Sequence, residues 1–138
     1  MRKRPSAPKA APAHSGDGQL RIIGGQWRSR QFGFPMAHGL RPTPNRVRET
    51  LFNWLQPQVR DARCLDLFAG TGAFGFEALS RGAGRVVFVE QDRAAAKAIS
   101  DCLVKLESNA AEVLNKDATR LKLADSGPFD IVFLDPPF

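Results

Sequence analysis

Hydrophobic positions in the second half of the chain alternate between short apolar runs and longer stretches where apolar residues recur every three or four places. Cys64–Phe68 reads as a short buried strand, followed by a Gly-rich turn and a helix reaching about Arg81. Arg85–Glu90, with Val86, Val87, Phe88 and Val89, predicts a second strand. The stretch from Arg93 to about Glu107 is a helix with Ala96, Ile99, Leu103 and Leu106 on one face. Ala111–Asn115 is a weaker third strand and Phe129–Leu134 a fourth. Strands separated by helical stretches predict an α/β fold, a parallel sheet with crossover helices.

The first half has a different rhythm. Leu20–Ile23 and Gln26–Arg28 flank Gly24-Gly25, and two glycines between extended segments predict a hairpin with a tight primed turn. Such a hairpin displays Arg21, Arg28 and Arg30 beside Trp27. That leaves two readings, an RNA-contacting platform or a hairpin whose Trp packs on the domain. Thr43-Pro44 predicts a helix start, with Thr as N-cap and Pro at the first helical position. Val47, Leu51, Trp54 and Leu55 recur at helical spacing and predict its buried stripe, and Pro57 ends it. Residues 1–18, rich in Pro, Ala, Ser, Gly and Lys/Arg, have too little to bury and predict a disordered basic tail. The expected organisation is this tail and then a domain over 19–138, with hairpin and helix at 19–57 and the sheet at 63–138.

Charge sharpens the division. Residues 1–60 hold 11 Lys/Arg and 2 Asp/Glu, net +9, whereas residues 61–138 hold 9 and 12, net −3. A basic front half points to a polyanionic partner. A solubilising tail is the alternative, but Arg21, Arg28, Arg30, Arg41, Arg46 and Arg48 lie beyond the tail and favour nucleic acid. No apolar run approaches the ~20 residues of a membrane span, and the N-terminus lacks the apolar segment of a secretory signal. Residues 1–13, basic and without acids, keep an organellar transit peptide as the minor alternative to a cytoplasmic place. Cys64 and Cys102 stand in no metal-ligand spacing and are expected as buried reduced thiols. No metal is expected.

Two segments carry chemistry. Gly70-Thr71-Gly72-Ala73-Phe74-Gly75 matches G-x-G-x-x-G directly after a strand and opening a helix, the context that makes the motif informative. Glu90 ends the next strand, 20 positions after Gly70, where an acid can accept from ribose hydroxyls. The match alone fits a dinucleotide equally well. S-adenosylmethionine is favoured because Asp66, inside the strand, can face a cationic methionine end, and because no second mononucleotide-binding half is present. Asp117, after the third strand, is either an acceptor for an adenine amine or a solvated turn residue.

The fourth strand runs into Asp135-Pro136-Pro137-Phe138. A nucleobase amine is a poor nucleophile because its lone pair is delocalised into the ring. A carboxylate (Asp135) and a carbonyl (Pro136) that accept its two hydrogens favour a pyramidal nitrogen. Prolines stiffen such a corner, and Phe138 can stack on the base. The alternative is a strand ending in a Pro-Pro turn with an incidental Asp.

Taken together, Arg21–Arg28, Gly39–Thr43, Arg46–Phe52, the glycine turn, Glu90 and the Asp135–Phe138 tetrad resemble the bacterial small-subunit (16S) rRNA guanine-N2 methyltransferases, the RsmD family, from about Leu20 to Phe138. The resemblance implies a Rossmann-like class I methyltransferase sheet. It implies S-adenosylmethionine held by Gly70, Thr71, Gly72 and Glu90, and a target base held by Asp135, Pro136, Pro137 and Phe138. It also implies that the Arg41-Pro42-Thr43 loop lies near the reacting base. The partner implied is 16S rRNA in the small ribosomal subunit, and the enzyme is expected as a monomer. Arg21, Arg28, Arg30, Arg41, Thr43 and Arg46 are the expected RNA contacts. The family continues beyond the tetrad, so the sheet is expected to be incomplete, with strands 1–4 only, an open apolar edge and poor turnover. Alternatives sharing these motifs are a DNA or protein-glutamine amino-methyltransferase and a non-catalytic cofactor- or RNA-binding remnant.

Overall fold

The computed structural model describes residues 18–35, 43–122 and 127–137. Residues 1–17 of the predicted tail lie outside the described residues, as do Arg41 and Phe138. Its elements are β1 (Gly18–Arg21), β2 (Gln31–Phe34), α1 (Asn45–Val59), β3 (Arg63–Asp66), α2 (Ala73–Ser80), β4 (Arg85–Val89), α3 (Arg93–Lys105), β5 (Ala111–Leu114) and β6 (Ile131–Phe133).

β3 to β6 form one parallel sheet in the order β5-β4-β3-β6. Alternation along the strands serves two faces. Cys64, Val86 and Phe88 join the larger core with residues of α2, α3 and the front hairpin. Leu65, Val87 and Val89 join a smaller cluster covered by Leu121 and Phe129 of the β5–β6 connection. α2 is sandwiched, with every residue except Phe74 buried. An octapeptide apolar nearly all round suits that position. α3 buries Ala95, Ala96, Ile99, Cys102 and Leu103, close to the predicted face, and Asp92 caps it by accepting from the Ala95 N–H at 2.8 Å. The parallel sheet and its crossover helices are as predicted. β6 is an edge strand, with Val132 50% exposed and Leu134, just after it, 65% exposed.

The front half corrects several expectations. β1 and β2 do form an antiparallel hairpin, but they are residues 18–21 and 31–34, so Gly18 belongs to a strand rather than to the tail. The connection is a long loop containing a 3-10 turn at Gly25–Trp27. Gly25 has φ +80°, and a Cβ there would stand 2.0 Å from the Ser80 carbonyl oxygen. The glycine thus serves a close approach to α2 rather than a two-residue turn. Trp27 is half-buried against the main core.

α1 starts at Asn45 with Pro44 as its N-cap residue, and Thr43 makes no cap bond. Pro57 does not end it; the helix runs two residues further to Val59. Near a C-terminus, proline disrupts few bonds after it, and buried Val59 anchors the last turn. The buried face is Arg48, Phe52 and Val59, whereas Val47 and Trp54 of the predicted stripe are 50% and 74% exposed. Arg48, expected among the outward arginines, is 1% exposed. Its Nη1 donates to the Arg21 carbonyl (2.9 Å) and pairs with Glu77 Oε1 (3.3 Å). A buried acid in α2 therefore turned the helix by one position relative to its hydrophobic pattern.

Candidate active site

Parallel pairing carries the C-terminal ends of the four sheet strands to one end of the molecule, where open α/β sheets bind ligands. A cleft of about 1,440 Å³ opens there. Gly70, Thr71, Glu90, Asp117, Asp135, Pro136 and Pro137 all line it, with Thr43 at its rim. Residues separated by as many as 94 positions thus share one cavity. Its volume exceeds the ~300–1,000 Å³ typical of a pocket for one small ligand, so it has room for two.

The glycine turn is built by backbone geometry. Gly70 and Gly72 have φ of +57° and +84°, values costly for a side-chain-bearing residue. A Cβ on Gly75 would stand 2.2 Å from the Phe88 ring, so the third glycine lets α2 lie against β4. Asp66 lies beneath this turn. It is 1% exposed, does not line the cleft, and its Oδ2 accepts from the Gly75 N–H at 3.0 Å. Because Gly72 caps α2 without a side-chain bond, Asp66 performs that service from a neighbouring strand. Burial pushes its carboxyl up to about 8; the Gly75 N–H opposes this, while Asp135 and Glu90 add to it. Gly72 likewise stays behind the cleft wall.

Glu90 ties two loops together. Its Oε1 accepts from the Gly70 N–H (2.7 Å) and its Oε2 from the Asp92 N–H (2.9 Å). Each carboxylate oxygen keeps a further lone pair, so capacity for hydroxyl donors remains. Asp117 Oδ1 accepts from the Thr119 hydroxyl (2.7 Å) and N–H (2.9 Å). These bonds hold its carboxyl below the usual range. The charged form is therefore kept at the cleft wall.

Asp135 is exposed at the end of β6, and the Thr43 hydroxyl donates to its Oδ2 at 3.4 Å. Behind it the rings of Phe74 and Phe133 stack at 5.2 Å and 4°, and both line the cleft. The apolar row Val47, Leu51 and Leu55 of α1 forms another wall, so this part of the predicted stripe faces the cavity, with Leu51 and Leu55 half-buried against the edge of the core. Arg21, Arg28, Arg30 and Arg46 are exposed and outside the cleft. Arg30 lies over the Phe32 ring at 5.7 Å.

Sequence reasoning missed Glu77. It is fully buried and accepts from the Ile23 N–H (3.0 Å), the Gly24 N–H (2.8 Å) and Arg81 Nε (2.8 Å) as well as Arg48. The available signal was one acid in an otherwise apolar helix, since buried carboxylates are rare unless paired. Cys64 and Cys102 are buried free thiols, pushed by burial up to about 12 and about 11. Among the described residues, no helix is long and apolar enough to cross a membrane, and no cluster of His, Cys, Asp or Glu is arranged for a metal ion.

Residues 20–138 match the family described as Conserved hypothetical protein 95. The chain is similar to the ribosomal RNA small subunit methyltransferase D of Escherichia coli (strain K12), 53% identical over 127 residues, covering 92% of this chain and 64% of that protein. It thus spans just under two thirds of the length of that curated relative. Among solved structures it is similar to a putative methyltransferase, yhhF, from Escherichia coli, with TM-score 0.77, 47% identity and coverage of 88% and 65%. It is also similar to the Thermus thermophilus 16S rRNA N2 G1207 methyltransferase (RsmC) in complex with AdoMet and guanosine. There the TM-score is 0.64 with 27% identity, over 88% of this chain and 33% of that one. The sheet is accordingly an incomplete Rossmann-like class I methyltransferase sheet.

Proposed function

This chain belongs to the Conserved hypothetical protein 95 (RsmD) family, and from that premise we propose that it serves S-adenosylmethionine-dependent methylation of small-subunit rRNA, at the exocyclic N2 amine of a guanine. The observation that carries the reading is the convergence of the glycine turn, Glu90, Asp117 and Asp135 on one cleft wide enough for cofactor and base. The methyltransferase unit is residues 18–138, and it works as a monomer in the cytoplasm on the small ribosomal subunit.

The residues present fit the cofactor. Glu90, with lone pairs left over from Gly70 and Asp92, accepts from ribose hydroxyls, and Asp117 accepts from the adenine amine. Gly70 and Thr71 let backbone approach the ligand closely, while Asp66 and Gly72 hold the turn's shape from behind. When bound, S-adenosylmethionine supplies a methyl group on a cationic sulfur.

Asp135 and the Pro136 carbonyl accept the two hydrogens of the guanine amine, which localises the nitrogen lone pair. Thr43 holds the Asp135 carboxylate in place. The Phe74–Phe133 stack gives the base an apolar aromatic wall, and Phe138 stacks on its face. Methylation leaves the nitrogen cationic. Exposed Asp135 takes the released proton and passes it to water. A base reaches such a site only unpaired or flipped. Arg21, Arg28, Arg30, Arg41 and Arg46 bind the surrounding phosphates.

The test is incubation of the chain with methyl-labelled cofactor and small subunits lacking the modification. Label on a guanine amine is the expected result. Label only on DNA moves the chain to another class of amino-methyltransferase, and cofactor binding without transfer makes it a binding fragment.

A further inference from the structure

A second concavity, about 640 Å³, lies on the side of α1 away from the cleft. α1 is the partition between them. Val47, Leu51 and Leu55 line the cleft, Arg48, Phe52 and Val59 enter the core, and Glu49, Asn53, Gln56 and Arg60 line the second groove. The last four follow a 4-3-4 spacing, a single stripe along one helix face. The β1–β2 connection from Ile23 to Arg28 forms the facing wall, and Ser80–Gly82 the floor.

The groove's charges are not all equivalent. Arg81 is committed, with Nε on Glu77 (2.8 Å) and Nη1 on Gln56 Oε1 (3.2 Å). Arg28 and Arg60 are exposed, one on each wall, and neither guanidinium has a protein partner among the described residues. Among the described residues, Glu49 is the one carboxylate of the lining. It stands about 16 Å from Arg60 along the helix, too far to neutralise it through solvent at ordinary salt. Between the arginines the stripe offers neutral amides.

We propose that this groove is a second RNA-docking surface, in which Arg28 and Arg60 grip the phosphodiester backbone of the substrate strand away from the reacting base. The assignment rests on the reading of the substrate as RNA. A planar guanidinium fork matches phosphate oxygens in pairs, and two uncommitted forks across a groove supply a clamp. The half of the chain that contributes most of the lining, residues 1–60, carries net +9 and supplies an attractive field. Geometry fixes the spacing. α1 begins beside Thr43, which touches Asp135, and ends beside Arg60. Its 15 residues put about 22 Å between the two ends. The groove therefore holds nucleotides flanking the target rather than the target itself, and exposed Arg46 lies on the helix between them.

The experiment measures binding of a single-stranded RNA oligonucleotide to the whole chain from 50 to 200 mM salt, for native protein, Arg28→Ala, Arg60→Ala and Lys97→Ala. Lys97 is an exposed α3 cation paired with Asp101 and controls for net charge alone. Arg28→Ala and Arg60→Ala are each expected to weaken binding about three- to tenfold and to lower the salt slope by about 0.7. Lys97→Ala is expected to change neither, and S-adenosylmethionine binding is expected to hold in all four. If the native chain binds RNA and both arginine variants behave like Lys97→Ala, the groove is not a docking surface, while the rRNA reading stands. If the native chain binds no RNA, the rRNA reading fails and takes this one with it.

Discussion

Arg48 and Glu77 form a fully buried ion pair, Nη1 to Oε1 at 3.3 Å, with side chains 1% and 0% exposed. The carboxylate does more than neutralise one arginine. It also receives the backbone amides of Ile23 and Gly24 and the Arg81 Nε. One side chain thus fastens α1 and the front hairpin to the helix that opens at the glycine turn. Burial lowers the pKa of Arg48, and the Glu77 carboxylate opposes that shift.

Glu77→Ala removes every partner of this hub at once. It is expected to cost about 3–5 kcal/mol, the penalty of stranding a buried charge, read as the midpoint of a urea transition. Arg48→Met is expected to cost less, because Glu77 keeps Arg81 and two amides. Equal costs would mean that the pair, not the carboxylate, is the fastening element.

Asp135→Ala is expected to abolish methyl transfer and leave S-adenosylmethionine affinity nearly unchanged, as seen by calorimetry beside a labelled-methyl assay. Loss of both in parallel would remove Asp135 from the role given to it. Thr43→Val, which deletes the 3.4 Å contact to Asp135, is expected to slow transfer about three- to tenfold, in line with ~1 kcal/mol for one hydrogen bond. Thr43→Ser should restore the rate.

Asp66 gives stability a pH dependence of definite sign. Its folded carboxyl is raised to about 8, against about 3.9 in an unfolded chain. The folded state therefore binds the extra proton between these values, and stability from this group is full below pH ~4 and lost as pH rises towards about 8. Asp66→Asn, neutral at every pH and still able to accept from Gly75, should gain stability relative to native protein at pH 8 and little at pH 4. A constant difference between those two pH values would contradict the assignment.

The two faces of α1 can be told apart by truncation. Phe52 is fully buried and 5.5 Å from the Phe133 ring, so Phe52→Ala is expected to cost about 3–5 kcal/mol. Trp54 is 74% exposed, and Trp54→Ala should stay within about 0.5 kcal/mol. A large loss at Trp54 would mean that the apolar stripe Val47–Leu55 is the packed face after all.

The sheet was legible because its strands are short apolar runs bounded by Gly and charged residues, with period-two burial that separates Leu65 from Cys64 and Val87 from Val86. The cleft was legible because a glycine turn after a strand has few other uses. The errors cluster where a polar residue is buried. Arg48 reads as surface in any hydrophobicity pattern, so the stripe on α1 was placed on its cleft side. Gly25 reads as a turn residue because its true neighbour, the Ser80 carbonyl, is 55 positions away. Asp66 was expected in the cleft because pattern gives a side chain's strand but not whether a backbone amide such as that of Gly75 has already claimed it.

The pairing of β3 with β6 joins Cys64–Asp66 to Ile131–Phe133, the widest sequence separation within the sheet. Contacts so distant form late, because a long loop must close before they repay its entropy. During synthesis the glycine turn, Glu90 and Asp117 can already be folded on β3, β4 and β5 before β6 docks. The half of the cleft read as holding the cofactor is therefore assembled first, and Asp135 arrives with β6. A ligand that binds the early half would meet a chain whose Asp135 carboxylate is not yet in place and would favour the surface on which β6 must settle.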